Sequence, residues 1–139
     1  MDYDNDGATD LFMSNGHVLD NIERYHADTH YAEPKLMFHN LGRGLFENVS
    51  DRLGRDFQAA VVSRGATIGD FDNDGDQDLF ESVGQDGLMK LHRNNGSGVF
   101  STQIVSSGAA TYFSAIGDLN NDGIVNGADL GLLLGNWTA

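Results

Sequence analysis

The chain has 139 residues, 40% of them hydrophobic, and no cysteine. That suffices for one ordinary domain with a core, and it excludes disulfides, so metal ions are the staples open to a small extracellular module. A formal net charge of -13 opposes binding to nucleic acid or to an anionic membrane, and no apolar run is long enough to span a bilayer.

The acidic residues are concentrated. Twelve of the 21 lie in three loops that start at Asp2, Asp70 and Asp118. The first reads Asp2-Tyr3-Asp4-Asn5-Asp6-Gly7-Ala8-Thr9-Asp10, followed by Leu11-Phe12-Met13 as a short strand. Asp2, Asp4, Asp6 and Asp10 supply carboxylates, Gly7 allows the sharp turn, and Ala8 needs to offer only its backbone carbonyl. Hard oxygen donors in a flexible loop suit Ca²⁺, whereas Zn²⁺ calls for His or Cys in a tetrahedral set. Met1 lies directly against the first ligand, a start expected of a fragment.

Most of the extra chain in the first unit falls between Ser14 and Pro34, where His26 and His30 stand at i, i+4. That spacing would place two metal ligands on one face of a helix. With Glu23, Tyr25, Asp28 and Tyr31 around them and no third ligand in view, they read as surface residues. Lys35 to Phe38 is the next apolar run, leading into the Gly-rich hairpin Asn40-Leu41-Gly42-Arg43-Gly44-Leu45-Phe46. Arg64-Gly65 precedes the second loop, with Arg64 free to pair with a loop carboxylate.

The second loop, Asp70-Phe71-Asp72-Asn73-Asp74-Gly75-Asp76-Gln77-Asp78-Leu79-Phe80, repeats the first position for position. Asp70, Asp72, Asp74 and Asp78 converge on one centre and Asp76 offers its carbonyl. A strand is expected next, because the last acid comes at ninth place and not at the twelfth place of an EF-hand loop. As a mere polar turn the stretch would set five aspartates against one another with no Lys or Arg inside it. A divalent cation resolves that repulsion.

Repetition extends beyond the loops, as in proteins built from blades or coils. Leu88 to Leu91 and Asn94-Asn95-Gly96-Ser97-Gly98-Val99-Phe100 echo the earlier run and hairpin, and Ser114-Ala115-Ile116-Gly117-Asp118 echoes Ala66-Thr67-Ile68-Gly69-Asp70. The unit is strand, acidic loop, strand, strand, Gly hairpin, strand. The third loop changes character. Asp118, Asn120, Asp122, Asn126 and Asp129 stand at places one, three, five, nine and twelve, with Gly123 at six and Ile124 at seven, which is EF-hand spacing. Asp129 suits the cap of a helix with Leu130, Leu133, Leu134 and Trp137 on its apolar face.

The two nine-residue loops, each followed by Leu-Phe, resemble the FG-GAP/VCBS repeats of integrin-α-like β-propellers. Asn15-Gly16-His17-Val18, Pro34-Lys35-Leu36-Met37-Phe38-His39-Asn40 and Ser63-Arg64-Gly65-Ala66-Thr67-Ile68-Gly69-Asp70 look like the ASPIC/UnbV-associated subgroup. The resemblance implies four-stranded blades with calcium in the loop joining the first two strands. It also implies an extracellular or cell-surface location, roles in adhesion or recognition, and no common catalytic residues. Residues 118–137 are similar to one half of a dockerin, which implies a cohesin-like partner; dockerins normally carry two such segments, and one is visible. The stretch also reads as an anchoring module or a drifted last propeller loop.

The expectation is an all-β chain, a partial β-propeller of about two four-stranded blades over residues 1–116, with a calcium loop and helix over 117–139. Its function is non-catalytic calcium-stabilised binding of an unidentified protein or carbohydrate ligand. The alternative is the accessory region of a secreted carbohydrate-active enzyme whose catalytic domain lies outside this chain.

Overall fold

The computed structural model describes residues 1–84, 87–106, 124–125 and 127–129. Their strands form two antiparallel sheets in the manner of a partial β-propeller. The first sheet contains β1 (Leu11–Met13), β2 (Leu36–Gly42) and β3 (Leu45–Asn48), and the second contains β4 (Ser63–Gly69), β5 (Asp78–Val83), β6 (Leu88–Asn94) and β7 (Phe100–Ser106). Each sheet follows chain order. Strands that are neighbours in sequence therefore pair, even β1 and β2 across the inserted segment between them. The β2–β3 turn consists of Arg43 (φ 54°) and Gly44 (φ 77°), both left-handed, the backbone that matches a two-residue hairpin to the strand twist.

Registers show that the sheets repeat one unit. Leu11 faces Phe38 and Phe12 faces Met37, just as Leu79 faces His92 and Phe80 faces Leu91. Thus β1, β2 and β3 correspond to β5, β6 and β7. The first sheet has three strands where the sequence suggested four, because the counterpart of β4 is represented by Met1 alone. Met1 exchanges backbone hydrogen bonds with Asp10, at 3.3 Å from its ammonium to the carbonyl and 2.6 Å in return. Gly69 pairs with Asp78 at the matching place.

The inserted segment after β1 holds a 3-10 turn at Ile22–Arg24 and carries its two spaced histidines off any helix. His26 and His30 are exposed, and His30 Nδ1 stands 3.8 Å from Glu23. Arg64 anchors this segment. Its guanidinium donates to the carbonyls of Gly16 (3.0 Å) and His17 (2.9 Å) and lies 6.0 Å from the Tyr31 ring centre. The sequence left Arg64 free for a loop carboxylate; the structure commits it to backbone carbonyls instead, since the insert passes directly over it. Gly16 leaves no room for a side chain there, because a Cβ would stand 2.9 Å from Val62 Cα.

The main core lies where the two sheets meet. Tyr3, Met37, Val49 and Leu53 come from the first half, Phe57 from the connection, and Leu79 and Phe100 from the second sheet, with Phe12 packed against them. Burying each of the large side chains contributes about 1.5–3 kcal/mol. Phe57 stacks at 5.3 Å on Phe100 and meets Phe12 edge-on at 6.0 Å. A second cluster, Phe71, Phe80, Met89 and Leu91, fills the opposite face of the second sheet. Val125 and Gly127 reach that face, since a Cβ on Gly69 would stand 3.1 Å from the Val125 carbonyl and one on Gly127 would collide with the Phe71 carbonyl.

Within the main interface sits a buried polar group. Glu81 accepts from Ser63 Oγ and from His92 Nε2 (2.9 Å), and Lys35 Nζ lies 3.5 Å from the same carboxylate. Lys35, Glu81 and His92 are wholly buried. Burial alone would raise the Glu81 carboxyl, yet His92, Lys35 and Ser63 together hold it below its usual range, so it is ionised. Burial lowers His92, which fits a neutral ring that donates from Nε2 to Glu81 and accepts at Nδ1 from Thr102 Oγ1 at 2.7 Å.

Two outcomes follow from this packing. Lys35→Met strips the counter-charge from a buried carboxylate and should cost about 3–5 kcal/mol of unfolding free energy in urea melts. His92 has a lowered folded value and Glu81 likewise, so both contribute stability at neutral pH that is lost on acidification. Melting temperature should fall as pH drops below the ordinary histidine value of 6.5, and again below the ordinary glutamate value of 4.5. In addition, Leu11 (52%) and Met13 (47%) are exposed, whereas their counterparts Leu79 and Glu81 are buried beneath the neighbouring sheet. An edge strand with uncovered apolar side chains favours association. Light scattering should therefore detect oligomers at micromolar concentration, and Met13→Lys should shift the population toward monomer.

Candidate metal centres in the acidic loops

The two loops close by one hydrogen-bond scheme. In the first, Asp2 accepts from the amides of Asp6 (3.1 Å) and Gly7 (3.0 Å); in the second, Asp70 accepts from Asp74 (3.2 Å) and Gly75 (3.0 Å). Asp6 then takes the Ala8 amide at 2.7 Å and Asp74 the Asp76 amide at 2.9 Å. The backbone agrees: Asn5 (59°) and Asn73 (61°) have the same positive φ, as do Gly7 (88°) and Gly75 (95°). Asn tolerates this region and Gly favours it, so the D-x-D-N-D-G spelling follows from the turn as well as from charge.

The ninth residue ties each loop to its sheet. Asp10 accepts from Tyr3 N at 3.1 Å and Asn40 N at 2.8 Å; Asp78 accepts from Phe71 N at 2.9 Å and Asn94 N at 2.8 Å. One carboxylate thus fixes the loop entrance, its own strand and the next strand. Both are buried. Burial pushes the Asp78 carboxyl up to about 6, although the two amide donors pull it down. Asp72 is also raised, by burial and by Asp74 beside it. Burial and the carboxylates of Asp4 and Asp10 push the Tyr3 phenol up to about 12.

Among the described residues, three sets of donors lie within 4.8 Å of one another: Asp2, Asp4 and Asp6; Asp4, Asp10 and His39; and Asp70, Asp72 and Asp78. Each carboxylate oxygen that accepts an amide keeps a second lone pair. Asp74 stands outside the third set. The Asp76 side chain is engaged elsewhere, accepting from Asn5 Nδ2 at 2.7 Å across to the first loop, which leaves its carbonyl as its contribution at home. Ala8 has only a carbonyl to give. The donor chemistry fits a hard divalent cation. Asp4 Oδ1 is moreover buried with no hydrogen-bond partner, the state of an acceptor awaiting one.

Of the third loop, Asp118, Asn120, Asp122 and Asn126 lie outside the described residues, as do Leu130 to Trp137. Ile124 is exposed, and Asp129 is buried within a helical turn. Helical backbone is present already at Gly127, ahead of the start at Asp129 that the sequence suggested.

Two nitrogen-bearing neighbours escaped the sequence reading. His39 lies against Asp4 and Asp10, and Arg93 Nε is 3.6 Å from Asp72 Oδ2. Each directly precedes the asparagine whose amide caps the ninth aspartate, so the two positions correspond. The only signal was their place in the matched runs ending at Asn40 and Asn94.

No curated protein and no solved structure matches the chain. Residues 70–126, from the first aspartate of the second loop through its sheet and into the third loop, match the family model of the FG-GAP-like repeat.

Proposed function

We propose that the chain is a non-catalytic, calcium-stabilised repeat module of a secreted or cell-surface protein, serving adhesion or recognition of a protein or carbohydrate ligand. The observation that carries this reading is the duplicated loop geometry: two acidic turns with the same hydrogen bonds, the same left-handed residues and converging carboxylates. Asp2, Asp4, Asp6, Asp10 and the Ala8 carbonyl would hold one Ca²⁺, and Asp70, Asp72, Asp74, Asp78 and the Asp76 carbonyl a second. The ion would neutralise carboxylates that otherwise repel one another, so each loop would lock its sheet. The repeat match takes in Asp118, Asn120, Asp122 and Ile124. We therefore read that stretch as a third repeat loop with a calcium of its own.

Recognition, on this reading, is the work of the surfaces that the loops hold rigid. The acids of the two loops are engaged by amides or turned toward the loop centres, and the buried Glu81 is engaged by Ser63, His92 and Lys35, which supports a binding module over an enzyme.

Calorimetry should detect calcium binding with dissociation constants on the order of 10⁻⁴ to 10⁻³ M, as in other extracellular modules. Saturation near ten times that constant should stabilise the fold by about 1.4 kcal/mol per site, seen as a raised melting temperature that EDTA abolishes. Absence of heat at millimolar calcium would overturn the reading. Asp72→Ala and Asp74→Ala should each remove the share belonging to the second loop, while Asp20→Ala, on the exposed insert, should leave it intact. Equal responses from all three would make the loops ordinary turns.

A further inference from the structure

The imidazole of His39 stands at the first loop where the second loop carries a guanidinium. Its Nδ1 is 3.4 Å from Asp4 Oδ2 and 3.3 Å from Asp10 Oδ1, and its Nε2 is 3.8 Å from Asp6 Oδ2. Despite these distances Nδ1 makes no hydrogen bond, and it is buried, as is the unpartnered Asp4 Oδ1 beside it. The Asp10 side chain is wholly buried and held in place by the Tyr3 and Asn40 amides. The Tyr3 ring meets the imidazole edge-on at 6.0 Å and limits its rotation.

Two donors sharing a tetrahedral ion at about 2.0–2.1 Å stand about 3.3 Å apart, the spacing between Nδ1 and its two carboxylates. With Nδ1 as the donor, Nε2 carries the proton and lies 3.8 Å from Asp6 Oδ2, beyond hydrogen-bond reach. At the matching place the second loop carries Arg93. A guanidinium has no lone pair to give and can only neutralise Asp72. The first centre therefore offers nitrogen and oxygen, the second oxygen alone. Imidazole nitrogen favours borderline transition ions, and an all-oxygen set favours Ca²⁺.

We propose that His39, Asp4 and Asp10 form a mixed nitrogen–oxygen centre that takes a borderline divalent ion such as Zn²⁺ or Co²⁺ in preference to Ca²⁺, so that the two repeats hold different metals. This rests on reading the loops as metal centres; it keeps Ca²⁺ in the second loop and replaces the Ca²⁺ of the first, since Asp4 and Asp10 cannot serve both ions.

The test titrates the full chain separately with ZnCl₂, CoCl₂ and CaCl₂ by calorimetry, with the histidine side-chain nitrogens followed by NMR. The expected result is one tight Zn²⁺ site that millimolar calcium does not displace, a shift of the His39 Nδ1 resonance on binding, and a Co²⁺ visible absorption band. His39→Gln should weaken Zn²⁺ at least tenfold and remove the band, while calcium binding by the second loop stays unchanged; His39→Asn serves as a second variant should the first fail to fold. Unchanged zinc affinity in either folded variant, or an unmoved Nδ1 resonance, would overturn the proposal and leave His39 a packing neighbour of the loop. The two readings fail separately. Zinc binding that depends on His39 without any calcium binding would remove the calcium reading alone, whereas equal calcium occupancy of both loops with no zinc preference would remove this one alone.

Discussion

The buried carboxylate at the ninth loop position is the constraint from which the rest of each repeat follows. A carboxylate inside a protein is costly unless donors surround it, and Asp10 and Asp78 each obtain theirs from two distant places in the chain. One oxygen takes the amide at the loop entrance, Tyr3 or Phe71. The other takes the amide of Asn40 or Asn94, in the strand paired with the one the loop enters. Loop closure, strand start and strand pairing are thereby set by one side chain. The cost of burial persists in part, since Asp78 remains raised to about 6, and a cation at the loop centre would offset it.

Between the sheets a different device acts. The interface is largely apolar, with Phe57 at its centre, but Lys35, Glu81, His92, Ser63 and Thr102 run through it as a connected polar group. Such a group adds little net stability over apolar packing of the same volume, yet it penalises misplacement, because a shifted sheet would strand a charge. In the first sheet the matching positions are Met13 and Phe38, both apolar. The polar device therefore belongs to this one joint and not to the repeat.

What the sequence made legible was local. Alternating aspartates with Gly at six, and Leu-Phe after the ninth position, identify the loops and the strands they enter, because turn chemistry and ligand spacing are encoded within a few residues. The β2–β3 hairpin was readable for the same reason, its Arg43-Gly44 turn demanding left-handed backbone. The roles of His39, Arg93, Lys35 and Arg64 were not readable. Each acts on a partner far along the chain: His39 on Asp4 and Asp10, Lys35 on Glu81, Arg64 on carbonyls of the insert. Register and sheet docking decide these pairings, and neither leaves a pattern at fixed spacing. The spaced histidines of the insert show the converse, a local signal with no helix beneath it.

The seam between the loops bears on how the chain folds. Within each sheet neighbouring strands are neighbours in sequence, so their hairpins can close early. The contacts across the seam span far more chain: Asn94 Nδ2 donates to the Tyr3 carbonyl over a separation of 91 residues, the Asp2 amide to Gln77, and Asn5 to Asp76. Closing such long intervals costs entropy that is repaid only when both sheets already exist. Loop-closure entropy thus favours hairpins forming before docking. The flat approach of Gly98 to the Tyr3 ring, where a Cβ would stand 2.6 Å from Cε2, belongs to that final event. A side chain at residue 98 would leave the hairpins free to form and slow the docking step.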